Sequence, residues 1–125
     1  MSRGLLRAKD LIDARYAEPL DLPALARVAE LSSAHFSREF HRAFGESPHR
    51  YLISVRMQRA AALLRNTDRP VGEICRAVGL QSVGSFTTCF GRVFGVSPTV
   101  YRASHGPDPS AIPPCVIRAR ARPRI

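Results

Sequence analysis

The sequence predicts an all-α protein of about seven helices, and three observations lead to that prediction. Large apolar residues recur every three or four positions, the spacing that places them on one side of a helix. Ser, Gly and Pro stand where such helices would begin and end. The stretch HFSREFHRAFGESPHRYL at 35–52 returns fifty residues later as SFTTCFGRVFGVSPTVYR at 85–102. A three-helix unit that occurs twice in the chain, with a long helix between the two copies, accounts for all three observations.

The first copy opens with two predicted helices. An apolar stripe from Leu5 to Tyr16 predicts the first helix. Pro19 should end that helix after Glu18, because the residue before a proline avoids the helical conformation. Asp21 is a suitable cap for the second helix. The inward residues of this second helix are predicted to be Leu22, Leu25, Ala26, Val28 and Ala29.

The third helix and the long helix after it have clear boundary signals. Ser32 caps the third helix, and Gly45 should end it in a left-handed conformation. Ser47 followed by proline starts the longest helix, which should run to about Arg65. The inward residues of these two helices are predicted to be Phe36, Phe40, Ala43 and Phe44, and then Ile53, Met57, Ala60 and Leu64.

The second copy repeats this order. A short helix at 71–78 leads through a turn to a cap at Ser82, and Gly95 ends the next helix. The Ser-Pro pair at 97–98 begins a last short helix that ends near Ala103. The inward residues of the helix after Ser82 are predicted to be Phe86, Phe90, Val93 and Phe94.

These boundaries divide the chain into four segments. A first helix-turn-helix subdomain covers 1–47, a linker helix 48–66, a second subdomain 67–103, and a basic flexible tail 104–125. The tail is rich in proline and shows no helical stripe, which is typical of flexible segments. Two functions are predicted for it. It either binds DNA as an extended arm, along the phosphate backbone or in the minor groove, or it only keeps the protein in solution. The arginines that favour the first alternative are Arg118, Arg120, Arg122 and Arg124.

Composition narrows the class of protein. The net charge is +9, with 19 Lys and Arg against 10 Asp and Glu, and this surplus favours a polyanionic partner such as nucleic acid. No apolar run approaches the ~18–20 residues that cross a bilayer, and the first residues lack the apolar core of a secretion signal. We therefore expect no membrane partner and a cytoplasmic protein. The three cysteines, expected to pack in the core rather than form disulfides, are Cys75, Cys89 and Cys115.

An enzyme is not favoured by any motif in the chain. The four histidines share no metal-like spacing with a cysteine or a pair of carboxylates. A glycine-rich phosphate loop and a nucleophile elbow are both missing from the sequence. We predict that the protein is not an enzyme and that it uses no metal and no cofactor.

A helix-turn-helix arrangement is predicted inside each copy. The offset between the copies is 49 residues before the turn and 50 after it, so the second turn should be one residue longer. The small residues expected to let the two helices approach closely are Ala26, Ala29, Cys75 and Ala77. In such motifs the second helix enters the major groove of DNA.

The outward faces of the two second helices fit that function. They carry short hydroxyl side chains and arginine and almost no acidic residue, a combination that suits base edges and phosphates. An ordinary solvated helix face would carry Glu and Lys pairs instead. The predicted DNA-contacting residues are Ser33, Ala34, Ser37, Arg38, His41 and Arg42 in the first copy and Gly84, Ser85, Thr87, Thr88 and Arg92 in the second.

With these residues in view, the chain resembles the DNA-binding domain of the AraC/XylS family of bacterial transcription regulators over about 5–103. The long helix matches through its Arg-Met pair at 56–57 and the small and leucine residues that follow. The most specific matching positions are Ile74-Cys75-x-x-Val78-Gly79-Leu80, then Phe86, Phe90, Arg92, Phe94-Gly95, Ser97-Pro98 and Tyr101-Arg102.

The resemblance implies a sequence-specific regulator that binds double-stranded DNA, with two recognition helices about one DNA turn apart. One molecule would then read an asymmetric site as a monomer. RNA polymerase is a candidate second partner, and we expect an activator. We also expect a stand-alone regulator rather than a fragment, because the match begins close to Met1.

The second copy departs from the family where basic residues often stand, at Thr88 and Gly91. We expect it to bind DNA more weakly or less specifically than the first copy. Two alternatives therefore stay open: a protein-interaction module, and a basic module that binds DNA without sequence specificity. A steep fall of affinity with salt concentration separates DNA binding from docking to a protein.

Overall fold

The computed structural model describes residues 2–107, which form seven α-helices and no strand. The all-α prediction is therefore confirmed for this part of the chain. The chain divides into two compact units, one up to Arg56 and one from Met57 onward, and the division falls within the fourth helix. The helices are α1 (Arg3–Ala14), α2 (Leu22–Val28), α3 (Ser33–Phe44), α4 (Pro48–Asn66), α5 (Val71–Ala77), α6 (Val83–Phe94) and α7 (Pro98–His105).

Side-chain caps start most of these helices where the sequence predicts them. The Asp21 carboxylate accepts a hydrogen bond from the Ala24 amide at 2.8 Å. Serine hydroxyls accept in the same way, at 3.2 Å, three residues before the donor amide. The predicted capping serines are Ser32, Ser47, Ser82 and Ser97, and Ser2 caps α1 although no cap was predicted there.

The end of α1 differs from the prediction. The helix stops at Ala14, four residues before Glu18. The guanidinium of Arg56 donates hydrogen bonds to the carbonyl oxygens of Tyr16 (2.7 Å) and Glu18 (3.0 Å), so the turn after the helix has partners outside it. Because Arg56 lies 40 residues away from Tyr16, the local sequence does not reveal this alternative to a longer helix.

The core of the first unit lies among α1, α2, α3 and the start of α4. Phe36 and Phe40 are fully buried, and their rings lie 5.6 Å apart. Gly4 is required where α1 meets the end of α2, because a Cβ there would lie 2.6 Å from the Ala29 carbonyl oxygen. The buried members of this core are Leu5, Ala8, Ile12, Leu25, Ala26, Ala29, Phe36, Phe40 and Leu52.

The second unit buries a corresponding set, to which the second half of α4 contributes. Met57, Ala60 and Leu64 repeat the spacing of Leu5, Ala8 and Ile12, and every residue of both triplets is buried. The remaining buried apolar residues of this unit are Ala61, Ile74, Cys75, Val78, Phe86, Phe90, Pro98 and Tyr101.

Several residues at the edges of the predicted stripes lie at the surface instead. Leu22 and Val93 are exposed, because each lies on the border of its helix's buried side. Ala77 was predicted to let two helices approach closely and is exposed instead, because Val78 takes the buried position that corresponds to Ala29. In α4, Leu52 is buried and Ile53 is half-buried.

The last helix continues two residues beyond the predicted end, to His105. The imidazole of His105 stacks on the ring of Tyr101 with the centroids 4.4 Å apart, which favours this extra half-turn. The rest of the predicted tail, including its four arginines and Cys115, lies outside the described residues.

Candidate nucleic-acid interface

The first candidate motif consists of α2, α3 and a four-residue connection at 29–32. The Leu31 amide donates to the Ala26 carbonyl at 3.0 Å, which closes the turn against α2. Glu30 has a φ of 60° and is the one non-glycine residue with positive φ among the described residues. The left-handed conformation at this position reverses the chain so that α3 crosses α2.

The second motif, α5 and α6, repeats this geometry with one more residue in the connection, at 78–82. The longer second turn is therefore confirmed. The Leu80 amide donates to the Cys75 carbonyl at 3.0 Å, and Gly79 has a φ of 92°. Gly79 thus occupies the position of Glu30, and here a glycine adopts the left-handed conformation without the clash of a Cβ.

Burial of two phenylalanines fixes the orientation of α3. Phe40 contacts both Phe44, with ring centroids 4.6 Å apart, and Tyr51, at 5.7 Å. The opposite side of α3 consequently faces away from the core. Of the predicted contact residues on this helix, four are exposed, namely Ala34, Arg38, His41 and Arg42, and two are half-buried, namely Ser33 and Ser37.

Charges on α3 are arranged around Glu39, its one acidic residue. The Glu39 carboxylate lies 3.6 Å from the Arg42 guanidinium and 3.7 Å from the His35 imidazole. The side chain of Arg38 is exposed and has no hydrogen bond or ion pair to another described residue. Arg38 is therefore the guanidinium on α3 without a partner among the described residues, whereas Arg42, which is also exposed, lies beside the Glu39 carboxylate.

The equivalent face of α6 carries much less side-chain volume and charge. All five predicted residues there are exposed: Gly84, Ser85, Thr87, Thr88 and Arg92. The helix contains no acidic residue, and Arg92 in its last turn is its one cation. Phe86 and Phe90 are buried with their rings 5.8 Å apart, so the orientation of α6 is fixed as that of α3 is.

Thr88 lies at the centre of this face, opposite the two phenylalanines. Its hydroxyl donates to the Gly84 carbonyl of the preceding turn at 3.0 Å. Neither glycine on the face is required by packing. A Cβ at Gly84 would meet only the Ser82 hydroxyl, at 3.5 Å, and one at Gly91 would meet nothing within 4 Å.

Three positions on these faces were left out of the predicted set, and Gly91, in the register of His41, is one of them. His35 is exposed in the first turn of α3, in the register of Ser85 on α6. Val83 is 47% exposed at the start of α6, in the register of Ser33. The offset of fifty residues between the copies is the sequence signal that pairs each of them with a predicted residue.

The structure offers no sign of a metal centre or a membrane span in residues 2–107. Groups of three or more His, Cys, Asp or Glu side chains that could hold a metal ion do not occur there. None of the helices in this range combines the length and apolar character that crossing a bilayer requires.

The repeated helix-turn-helix geometry agrees with a match to a protein-family model. The model for a helix-turn-helix domain of the AraC type matches residues 25–104, well over half of the chain. The chain belongs to the AraC family. The resemblance seen in the sequence is thereby confirmed, and α3 and α6 are the second helices of the two motifs of an AraC-type domain.

Relatives and solved structures agree with this assignment. An HTH-type transcriptional regulator of Haemophilus influenzae is 41% identical over 80 residues, which are 64% of this chain and 27% of that protein. The C-terminal domain of AraT, a response regulator from Geobacillus stearothermophilus, is similar with a TM-score of 0.81 and 31% identity, covering 86% of this chain and 89% of that one.

A third similar structure is the DNA-binding domain of the transcriptional factor AdpA, solved in complex with a target DNA. The TM-score is 0.78 at 31% identity, covering 82% of this chain and 93% of that one. The chain matches 24–37% of the length of the curated relatives, whose names describe transcriptional regulators or a regulatory protein.

Proposed function

We propose that this AraC-type chain is a sequence-specific DNA-binding regulator of transcription that inserts α3 and α6 into successive major-groove faces of one duplex. The observation that carries the proposal is the doubled motif: two second helices, each fixed by buried phenylalanines, turn acid-poor faces outward. The DNA complex of the similar AdpA domain supports the choice of double-stranded DNA as the partner.

Different residues on the two helices are assigned different kinds of contact. Arg38 is exposed and unpaired among the described residues, so its planar guanidinium can fork onto the two acceptors of a guanine. Arg42 and Arg92 lie in the last turns of α3 and α6, and there they suit phosphate oxygens, which position a protein on DNA without reading sequence. The hydroxyls of Ser33 and Ser37 on α3, and of Ser85 and Thr87 on α6, suit either kind of acceptor.

Selection from random duplexes tests this proposal. Purified protein is mixed with a pool of random double-stranded DNA at two salt concentrations, and the bound fraction is sequenced. Enrichment of two short motifs about one helical turn, ~34 Å, apart supports reading by both helices. Weak, salt-sensitive binding without enrichment contradicts sequence-specific regulation. An affinity for the duplexes that does not fall as the salt concentration rises favours the protein-interaction alternative.

Substitution of Arg38 separates base reading from phosphate contact. Arg38→Ala should weaken binding to the selected site by about 1–3 kcal/mol and relax the preference at one base pair. Arg15→Ala is the matched control, because it also removes one exposed arginine but lies outside both second helices. An equal loss for Arg38→Ala on selected and random duplexes would show that Arg38 contacts a phosphate instead.

Stoichiometry and transcription tests address the remaining parts of the proposal. Native mass spectrometry of the complex should show one chain per selected duplex, because one chain carries two second helices. We further propose that the protein works in the cytoplasm as an activator and contacts RNA polymerase. A promoter that carries the selected site should then give more transcript in a purified system when the protein is added, and a decrease would indicate a repressor.

A further inference from the structure

The centre of the α6 face carries a methyl group beside a hydroxyl whose proton is already donated within the helix. The Thr88 hydroxyl donates its proton to the Gly84 carbonyl of the same helix at 3.0 Å. A threonine bonded back onto its own helix keeps its oxygen close to the backbone. The γ-methyl group is then the part of Thr88 that is left to face outward from this exposed position.

The neighbours of Thr88 leave this methyl group uncovered. Gly84 and Gly91 lie one turn before and after it on the same face, and neither has a side chain that could shield it. In α3 the residues in the same register are Ala34, Arg38 and His41. A long cation therefore stands at the centre of the first face, and a short methyl group stands at the centre of the second.

In the major groove, the C5-methyl group of thymine is the base feature that an apolar contact can recognise. We propose that Thr88 is the specificity-determining residue of the second motif and selects thymine through contact between the two methyl groups. This inference rests on the proposed function and adds the base that α6 reads. Ser85 and Thr87 are less selective candidates, because a free hydroxyl bonds to bases and phosphates alike.

Removal of the methyl group from the DNA tests the contact directly. In the duplex obtained by selection, each thymine on either strand is replaced in turn by deoxyuridine, which keeps every hydrogen-bonding group and lacks the C5-methyl group. Wild-type protein should lose about fourfold in affinity at one position, the ratio expected when one buried methyl group is removed. Replacement of that thymine by 5-methylcytosine should retain more affinity than replacement by cytosine.

Two substitutions separate the methyl group of Thr88 from its hydroxyl. Thr88→Val keeps a methyl group in the same place and removes the hydroxyl, so the fourfold preference for thymine over deoxyuridine should persist. Thr88→Ser keeps the hydroxyl and removes the methyl group, so the ratio should fall to about one. Circular dichroism of both variants checks that the helices are intact, and the preference at the guanine assigned to Arg38 serves as an internal control.

The inference is overturned if wild-type protein binds thymine and deoxyuridine duplexes equally at every position. It is also overturned if Thr88→Ser keeps the ratio, or if Thr88→Val loses it while the helices stay intact. A selected site without thymine opposite α6 also overturns it. These results differ from failure of the proposed function, in which the selection yields no preferred sequence at all.

Discussion

Arg38 in α3 and Thr88 in α6 occupy the same register of the repeated unit, yet they present different chemistry. Behind each of them two phenylalanines are fully buried, and all three phenylalanines of each stripe repeat at the same offset of fifty residues. All six phenylalanines of the chain belong to these two stripes. Packing therefore constrains one side of each helix and leaves the other side free to differ. The frame of each unit, meaning its second helix with the buried phenylalanine side, can thus carry a different outward face.

The tyrosines that support the two frames show a second difference. Tyr51 and Tyr101 contact the middle phenylalanine of each stripe, with ring centroids 5.7 and 5.3 Å from it. The hydroxyl of Tyr51 donates to the Asp13 carboxylate at 2.5 Å, whereas that of Tyr101 accepts from the Arg65 guanidinium at 2.7 Å. The ring packing is shared, but the Tyr51 hydroxyl donates to a carboxylate and the Tyr101 hydroxyl accepts from a guanidinium.

The largest expected effect tests whether the two frames are equivalent. Phe40→Ala and Phe90→Ala should each lower the free energy of unfolding of their own unit by about 3–5 kcal/mol, because each removes a fully buried ring. Denaturant titration followed by circular dichroism measures the loss. Val93→Ala is the control on an exposed position. Wild-type stability of either phenylalanine variant would show that its stripe is not the core.

A smaller effect should separate the tyrosines. Burial, followed by the hydrogen bond to Asp13, raises the pKa of Tyr51. Hydrogen bonds to Tyr51 and then to Asp13 raise the pKa of Lys9. The protonated Tyr51 hydroxyl and the charged Lys9 ammonium therefore stabilise the folded state. This stabilisation is fully present below the ordinary pKa values of the two groups, about 10. It is lost as the pH rises through the higher values of the folded state.

Tyr51→Phe should lower the free energy of unfolding by about 1–2 kcal/mol at neutral pH, since it removes a hydrogen bond to a partly exposed carboxylate. The difference from wild type should shrink above about pH 10. Urea titrations at a series of pH values measure it, and Phe90→Ala is a control whose loss lies in the other unit. A difference that stays constant up to alkaline pH would contradict the role assigned to the Tyr51 hydroxyl.

The glycines of α6 should lower its stability by amounts that depend on their positions. Gly91 lies inside the helix with free space around it, so Gly91→Ala should raise the free energy of unfolding by about 1 kcal/mol. Gly84 is the second residue of the helix, and Gly84→Ala should raise it by less. The matched reversal is Ala34→Gly, which should lower the stability of α3 by a similar small amount. A destabilising Gly91→Ala would reveal a packing role for Gly91.

The smallest expected effect concerns the two turns. Glu30 adopts a left-handed conformation that disfavours side chains, so Glu30→Gly should raise stability by about 0.5 kcal/mol once the greater freedom of glycine in the unfolded chain is included. Gly79→Ala should have the opposite sign, with a loss of about 1 kcal/mol. Thermal unfolding of the two variants measures both. If the two substitutions changed stability in the same direction, Glu30 and Gly79 would not be equivalent positions.

Much of the fold and of the candidate site is readable from local sequence. Helix starts at Ser32, Ser47, Ser82 and Ser97 depend on a hydroxyl that reaches an amide three residues away. The phenylalanine stripes depend on a period of three to four residues. Signals of this range also predict which residues of α3 and α6 are exposed, so most of the candidate reading faces follow from the sequence.

The sequence by itself thus determined seven helices, a doubled helix-turn-helix and two outward faces, because each depends on residues a few positions apart. The tertiary structure decided that α1 ends at Ala14, where Arg56 holds the following turn. It also decided that the Tyr51 hydroxyl pairs with an acidic side chain and the Tyr101 hydroxyl with a basic one, through hydrogen bonds between residues 38 and 36 positions apart. It placed Glu30 in a strained conformation, and it turned the Thr88 hydroxyl back onto its own helix. These features depend on which atoms the folded chain brings together, and the spacing of residue types does not specify that.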